Sequence, residues 1–181
     1  MRLLAIPLAS LTVALAVAAA PTAAQTMHAR LHGFQEVPAV STAGSGQFSA
    51  KIDENAGSIY WELTYDGMQG TVVQSHIHFG QHSVNGGITA WLCQSATNPA
   101  PAAVAATTPV CSSPSGTLSG TITLAGVVGP SGAQQLGAGE FEELVRAMRA
   151  GVTYVNVHTN LSPGGEIRGQ IGAKGSAGGQ H

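Results

Sequence analysis

Residues 59–65 read Ile59-Tyr60-Trp61-Glu62-Leu63-Thr64-Tyr65, and their pattern indicates the fold class. Its apolar side chains occupy every second position, and mostly polar side chains stand between them. A repeat of two residues is typical of a β-strand with one buried and one solvated face. The same alternation recurs over residues 47–52 and 117–124, so we expect strands there as well.

Further strand patterns lie near residues 26–35, 70–79, 87–93, 152–159 and 165–172. Turn-forming sequences such as Asn85-Gly86-Gly87 and Ser162-Pro163-Gly164-Gly165 separate them. Many short strands with such spacing predict an all-β fold, an antiparallel Greek-key β-sandwich of about eight strands. Residues 140–150 differ, because their apolar side chains repeat at helical spacing, and they predict one short helix.

The composition suits a single domain. The chain has 181 residues, of which 44% are hydrophobic and only 9% charged, and its formal net charge is −2. That apolar fraction is sufficient for a core. The few basic residues are not clustered, which excludes nucleic-acid binding driven by phosphate neutralisation.

The N-terminus has the layout of a secretory signal peptide. Met1-Arg2 precedes an almost wholly apolar run over residues 3–20, and small residues follow up to Ala24. A membrane anchor is the alternative, but the alanine content and the small residues that follow the apolar run favour cleavage after Ala24. We therefore expect a signal peptide over 1–24, a domain over 25–172, a disordered Gly-rich tail over 173–181, and no membrane span in the mature chain. The protein would be exported, to the periplasm or the extracellular space.

Export bears on the two cysteines, Cys93 and Cys111. An oxidising compartment favours a disulfide between them. The alternative is a two-cysteine metal or redox site, and it is weaker because neither a CxxC motif nor a nearby histidine or acidic ligand accompanies them. The stretch between them is rich in proline and alanine and has no strand pattern.

Histidines carry the chemical signal. If residues 74–79 form a strand, His76 and His78 point to the same face. His158 belongs to a later strand, where it points to the face opposite Val155 and Val157. Three such imidazoles can converge on copper or zinc, with His82 as a fourth ligand from the following loop. Both strands turn their histidines away from the aliphatic side, so we expect a polar patch rather than core histidines. The alternative is surface histidines that hydrogen-bond to loops.

Arg168 lies in Glu166-Ile167-Arg168-Gly169-Gln170, where Ile167 should face inward and the polar residues outward. Its guanidinium is a candidate for guiding an anion to the site. Pairing with Glu166 on the surface is the structural alternative.

Several motifs resemble the chordin-type (CHRD) domain family. They cover about residues 30–172, and they are Leu31-His32-Gly33-Phe34-Gln35-Glu36-Val37-Pro38, His76-Ile77-His78-Phe79-Gly80, Asn85-Gly86-Gly87, residues 150–159 and residues 163–171. The resemblance implies an exported all-β domain and does not by itself assign a biochemical activity. His82 and the cysteine-bounded loop are not part of that family pattern.

The order of His76, His78, His158 and Arg168 is also distantly similar to Cu,Zn superoxide dismutase, which has three such copper ligands and an anion-guiding arginine. The zinc-binding cluster of that enzyme has no counterpart here. Two hypotheses follow. The first is an exported binding or structural module whose partner is a metal ion or an extracytoplasmic protein, and the second is a copper-dependent oxidoreductase that dismutates superoxide. The missing zinc cluster favours binding over catalysis.

Overall fold

The computed structural model describes residues 24–130 and 132–173, and its strands confirm the predicted all-β antiparallel fold. The signal-peptide and tail predictions lie outside the described residues, apart from Ala24 and Ala173 at their inner ends. The strands are β1 (Gln25–His32), β2 (Ser45–Asp53), β3 (Ser58–Asp66), β4 (Val72–Phe79), β5 (Gly87–Cys93), β6 (Gly116–Thr123), β7 (Thr153–Thr159), β8 (Ile167–Gln170) and β9 (Gly172–Ala173).

Two short α-helices and two 3₁₀-helices, Gly33–Gln35 and Leu124–Gly126, accompany the strands in the described residues. Helix α2 (Phe141–Arg149) lies where the sequence predicts it, with its apolar face in the core, acidic residues in its first turn and arginines in its last. Those charges complement the helix dipole. Helix α1 (Ala102–Ala105) was not predicted, because a single turn is too short to show a periodic pattern.

The strands form one continuous sheet in the order β5-β4-β7-β8-β1-β2-β3-β6, with β9 beside β1. We call β1, β2, β3 and β6 the open half, and β5, β4, β7 and β8 the covered half. The connections β3–β4, β5–β6 and β6–β7 pass from one half to the other, as Greek-key connections do. The path curves so that its end strands β5 and β6 approach each other, and the core lies between the two halves.

The predicted disulfide joins these two ends of the sheet. Cys93 closes β5 and is bonded to Cys111, which precedes β6, with 5.0 Å between the two Cα atoms. The loop between them is organised by Gln94, whose amide nitrogen donates to the carbonyls of Ala105 and Thr108 at 2.7 and 2.8 Å. Within the described residues, no helix has the length and apolar character needed to cross a bilayer.

Candidate metal centre

Strand pairing places the predicted histidines on one patch. In the β4–β7 ladder, His76 lies opposite Asn156, His78 opposite Tyr154, and Gln74 opposite His158. Residues opposite each other in an antiparallel pair share a face, and the diagonal neighbours are also within reach. His158 is therefore a diagonal neighbour of His76, although 82 positions separate them in the chain.

The three imidazoles face one another at short range. Nδ1 of His76 lies 3.2 Å from Nε2 of His158. One ring nitrogen from each of His76, His78 and His158 can be chosen so that all three lie within 4.8 Å of one another. The histidines predicted from two distant segments thus form one cluster, which we call the histidine cluster.

The histidine cluster is buried, although the sequence argued against buried core histidines. Only 0%, 7% and 6% of the surfaces of His76, His78 and His158 are exposed. These side chains do lie on the face of β4 and β7 opposite the aliphatic core, but loops cover that face. Two of these loops contribute the carbonyls of Gly86 and Pro163, which contact the cluster directly.

Those two carbonyls fix which nitrogen of each ring carries the proton. Nδ1 of His78 lies 2.9 Å from the Gly86 oxygen, and Nδ1 of His158 lies 2.9 Å from the Pro163 oxygen. A carbonyl only accepts, so both Nδ1 atoms are donors and both Nε2 atoms keep their lone pairs. Nε2 of His78 is buried and has no hydrogen-bond partner among the described residues. This is the arrangement that a metal-ligating histidine requires.

Burial also keeps the rings uncharged. It lowers the pKa of His76 well below its ordinary value, with a further lowering from the two neighbouring histidines. It lowers the pKa of His78 to about 4, and it lowers the pKa of His158 as well. All three imidazoles are therefore neutral at pH 7, which is the form that binds metal ions.

Arg168 lies behind the cluster rather than at its surface. Its guanidinium carbon is 3.5 Å from the centre of the Tyr154 ring, and that ring stacks on His78 at 4.7 Å. The side chain is 2% exposed, and it donates to the carbonyls of Gln81 and Val84 at 3.2 and 3.0 Å. These contacts hold the loop over residues 80–86 in place, whereas the predicted anion-guiding role would need donors directed to solvent.

His82 is not brought to the cluster. It is exposed, and its Nδ1 atom hydrogen-bonds to the hydroxyl of the adjacent Ser83 at 2.8 Å. The prediction placed it near the site because it follows His78 closely in sequence. The loop directs it outward instead.

Two polar neighbours of the cluster were missed by the sequence reasoning. Oδ1 of Asn156 lies 2.9 Å from Nε2 of His158. Glu36 is only 6% exposed, and burial raises its pKa to about 7, opposed by the charge of Arg168 and by hydrogen bonds from the Val37 backbone and the Asn156 side chain. The alternation of Asn156 with the valines of β7 already places it on the histidine face. Glu36 lies in a loop, where no periodic pattern indicates its position.

Gly165 shows how closely the covering loops pack on this layer. Its φ is +126°, and a Cβ atom there would lie 2.2 Å from Oε1 of Glu36. Only glycine combines that backbone conformation with so close an approach.

The CHRD domain family model matches residues 27–171 of the chain. The chain belongs to the CHRD domain family. That assignment confirms the resemblance seen in the sequence motifs, and the match spans the described sheet from β1 to β8. No curated protein and no solved structure matches this CHRD-domain protein significantly.

Proposed function

We propose that this CHRD-domain protein is an exported binding module that holds one copper or zinc ion through His76, His78 and His158. The observation that carries the proposal is the convergence of three buried, neutral imidazoles whose ligand atoms lie within 4.8 Å of one another. Neutral imidazole is a good ligand for both metals.

The distances in the histidine cluster support this proposal. Metal–nitrogen bonds of roughly 2.0–2.1 Å place ligand nitrogens roughly 3.3–3.6 Å apart in tetrahedral or trigonal sites. His76 Nδ1 and His158 Nε2 are hydrogen-bonded at 3.2 Å, a separation close to that range, so an ion can take the place of the bridging proton once His76 carries its proton on Nε2. The Nε2 atom of His78 has no hydrogen-bond partner among the described residues, so its lone pair is available to an ion.

Export is supported by the family and by the disulfide between Cys93 and Cys111. Structural disulfides persist in oxidising compartments and are rare in the cytosol. We expect the protein recovered after export to begin at Gln25, and N-terminal sequencing would check this. A mature chain that still begins at Met1 would contradict the signal-peptide prediction.

The copper-dependent dismutase hypothesis receives less support. It needs a cation that attracts superoxide, and the donors of Arg168 are directed at loop oxygens in a buried position. Binding without turnover is therefore the function that we favour. Superoxide consumption by the copper-loaded protein that falls on Arg168→Ala substitution, with metal affinity unchanged, would instead support the enzymatic hypothesis.

Elemental analysis of the exported, natively purified protein is the first test, and we expect close to one copper or zinc ion per chain. Each of His76→Ala, His78→Ala and His158→Ala should weaken binding by at least about 100-fold, since each removes a ligand. His82→Ala is the matched control, because His82 is an exposed histidine outside the cluster. Circular dichroism would check that the variants keep the β-fold. The proposal fails if the folded protein binds no metal, or if His82→Ala weakens binding as much as the cluster variants do.

A further inference from the structure

We propose that the histidine cluster selects monovalent copper, Cu(I), over the divalent ions Zn(II) and Cu(II). This inference rests on the proposed function, since it names the ion that the same three histidines would take. It follows from the charge, the donor types and the geometry of the site.

All donors in the cluster are uncharged. Within the described residues, the one group of histidine, cysteine and acidic side chains close enough to share an ion consists of His76, His78 and His158. Both cysteines are bonded to each other, so neither offers a thiolate. No ligand in the cluster offsets the charge of a bound ion. A divalent ion would therefore leave two uncompensated positive charges in the buried site, whereas a monovalent ion would leave one.

Asn156 adds an oxygen to the site but no charge. Its Oδ1 atom lies 2.9 Å from Nε2 of His158, and both atoms are acceptors because His158 carries its proton on Nδ1 toward Pro163. A cation beside the two lone pairs would relieve their repulsion. The neutral oxygen cannot compensate a second positive charge.

The surroundings add positive charge to this buried position. The guanidinium of Arg168 stacks on Tyr154, which in turn stacks on His78. The acidic group that interacts with Arg168 is Glu36, which lies outside the cluster and whose pKa is raised to about 7, so it is only partly ionised at neutral pH. Repulsion from Arg168 is twice as large for a divalent ion, and the cost of desolvating an ion rises with the square of its charge.

The number of ligands points in the same direction. Structural Zn(II) sites are almost always four-coordinate, Zn(II) held by three protein ligands completes its shell with a water molecule, and Cu(II) prefers a tetragonal arrangement of nitrogen and oxygen ligands. Cu(I) is a closed-shell ion that is satisfied by three nitrogen ligands. His76, His78 and His158 come from two adjacent strands that pair from Val72 to Phe79, so the backbone cannot easily rearrange around a tetragonal ion.

The test compares affinities in the purified mature chain. Cu(I) is titrated under anaerobic conditions against a chromophoric Cu(I) chelator, and Zn(II) and Cu(II) are titrated against chelators of known affinity. We expect Cu(I) to bind at least about 100-fold more tightly than either divalent ion, a difference of about 2.7 kcal/mol. Zn(II) or Cu(II) binding as tightly as Cu(I) would overturn this inference and leave the proposed function standing. Absence of binding for all three ions would overturn the proposed function itself.

A substitution at Asn156 tests the electrostatic cause. Asn156→Asp keeps the shape of the side chain and adds a negative charge, so it should raise Zn(II) affinity at least about 10-fold more than Cu(I) affinity. Asn156→Ala is the control, since it removes the oxygen without adding charge and should keep the preference for Cu(I). Equal effects of Asn156→Asp on both ions would contradict the charge argument. If the variant does not fold, the comparison of ions in the wild-type chain still decides the inference.

Discussion

Strands β3 and β7 have similar alternating sequences but different surroundings. In β3, buried residues alternate with residues that are exposed or partly exposed, whereas all seven residues of β7 are buried. Each strand turns one set of side chains to the common core. The second face of β3 meets solvent, and the second face of β7 lies under loops. Alternation with a period of two thus correctly predicts a strand in both cases. It correctly predicts a solvent-exposed face only for the strand in the open half.

The covered face has the chemical consequences. Buried polar atoms normally have hydrogen-bond partners, because burying them unpaired is costly. Among the described residues, the buried side-chain atoms without a partner all lie on the covered half or in a loop that packs on it, and they are Glu36 Oε1, His76 Nε2, His78 Nε2, Thr153 Oγ1 and Gln170 Oε1. Four of these five atoms lie on the histidine face or in the loop that packs on it, as a binding site predicts, whereas Thr153 shares the core face of β7 with Val155 and Val157. The open half has no such atom among the described residues.

The largest effect should come from the core face of β3. Trp61→Ala should lower the free energy of unfolding by about 4 kcal/mol, because Trp61 is 2% exposed and its loss leaves a cavity. Tyr60→Ala, one position away on the exposed face, should change it by less than about 0.5 kcal/mol. Urea denaturation of both variants measures the difference. Similar losses at the two positions would show that β3 has no open face.

The loss of stability on replacing one glutamate in each half compares the covered and open halves directly. Glu166 precedes β8 and accepts hydrogen bonds from the hydroxyls of Thr42 and Thr159 and from the backbone amides of Gln69 and Gly70. Glu166→Ala leaves these donors without their acceptor and should cost about 3 kcal/mol. Glu62→Ala, on the exposed face of β3, should be nearly neutral. Thermal unfolding would distinguish them, and a neutral Glu166→Ala would show that this carboxylate does not fasten the loops.

Glu36 should give the covered half its own pH dependence. Its pKa rises from 4.5 to about 7 on folding, so its stabilising contribution is complete below pH 4.5 and is lost as the pH rises through about 7. That difference, at about 1.4 kcal/mol per pH unit, corresponds to about 3 kcal/mol at pH 8. Glu36→Gln should therefore be more stable than the wild type at pH 8 by up to about 3 kcal/mol, and the gain should vanish near pH 4.5.

This experiment uses the metal-free protein and chemical denaturation at several pH values. Arg168 and Tyr154 are the charged or titratable groups that interact with Glu36, and neither is expected to change its charge between pH 4.5 and 8. A Glu36→Gln variant whose advantage is the same at both pH values would contradict the raised pKa.

The smallest effect concerns the loop over residues 80–86. Asn85 donates to the carbonyl of Val37 at 2.8 Å and accepts from Arg168 at 3.3 Å, and so it joins this loop to a second one. Asn85→Ala should cost about 1 kcal/mol and increase hydrogen exchange in the loop. Thr64→Ala, which removes a hydroxyl contact with Thr117 on the exposed face of the open half, is the control and should leave that exchange unchanged. Unaltered hydrogen exchange in Asn85→Ala would mean that other contacts hold the loop over residues 80–86 in place.

The local features of this protein could be predicted from its sequence. Alternation predicted the strands, helical spacing predicted α2, and the two cysteines predicted their disulfide. It also placed His76 and His78 on one face, since neighbours two apart in a strand must point the same way. These features depend on residues that are close in the chain, or, for the disulfide, on the presence of only two cysteines.

The surroundings of the histidines depend on the tertiary structure. Pairing of β4 with β7 sets the register that brings His158 to His76, and no local pattern encodes a register between distant strands. Loop packing buries the cluster, places Glu36 and Arg168 beside it and turns His82 away. Loop conformations follow from contacts across the whole chain rather than from periodicity, which is why the sequence located the three histidines but not the buried, neutral environment that makes them a metal site candidate.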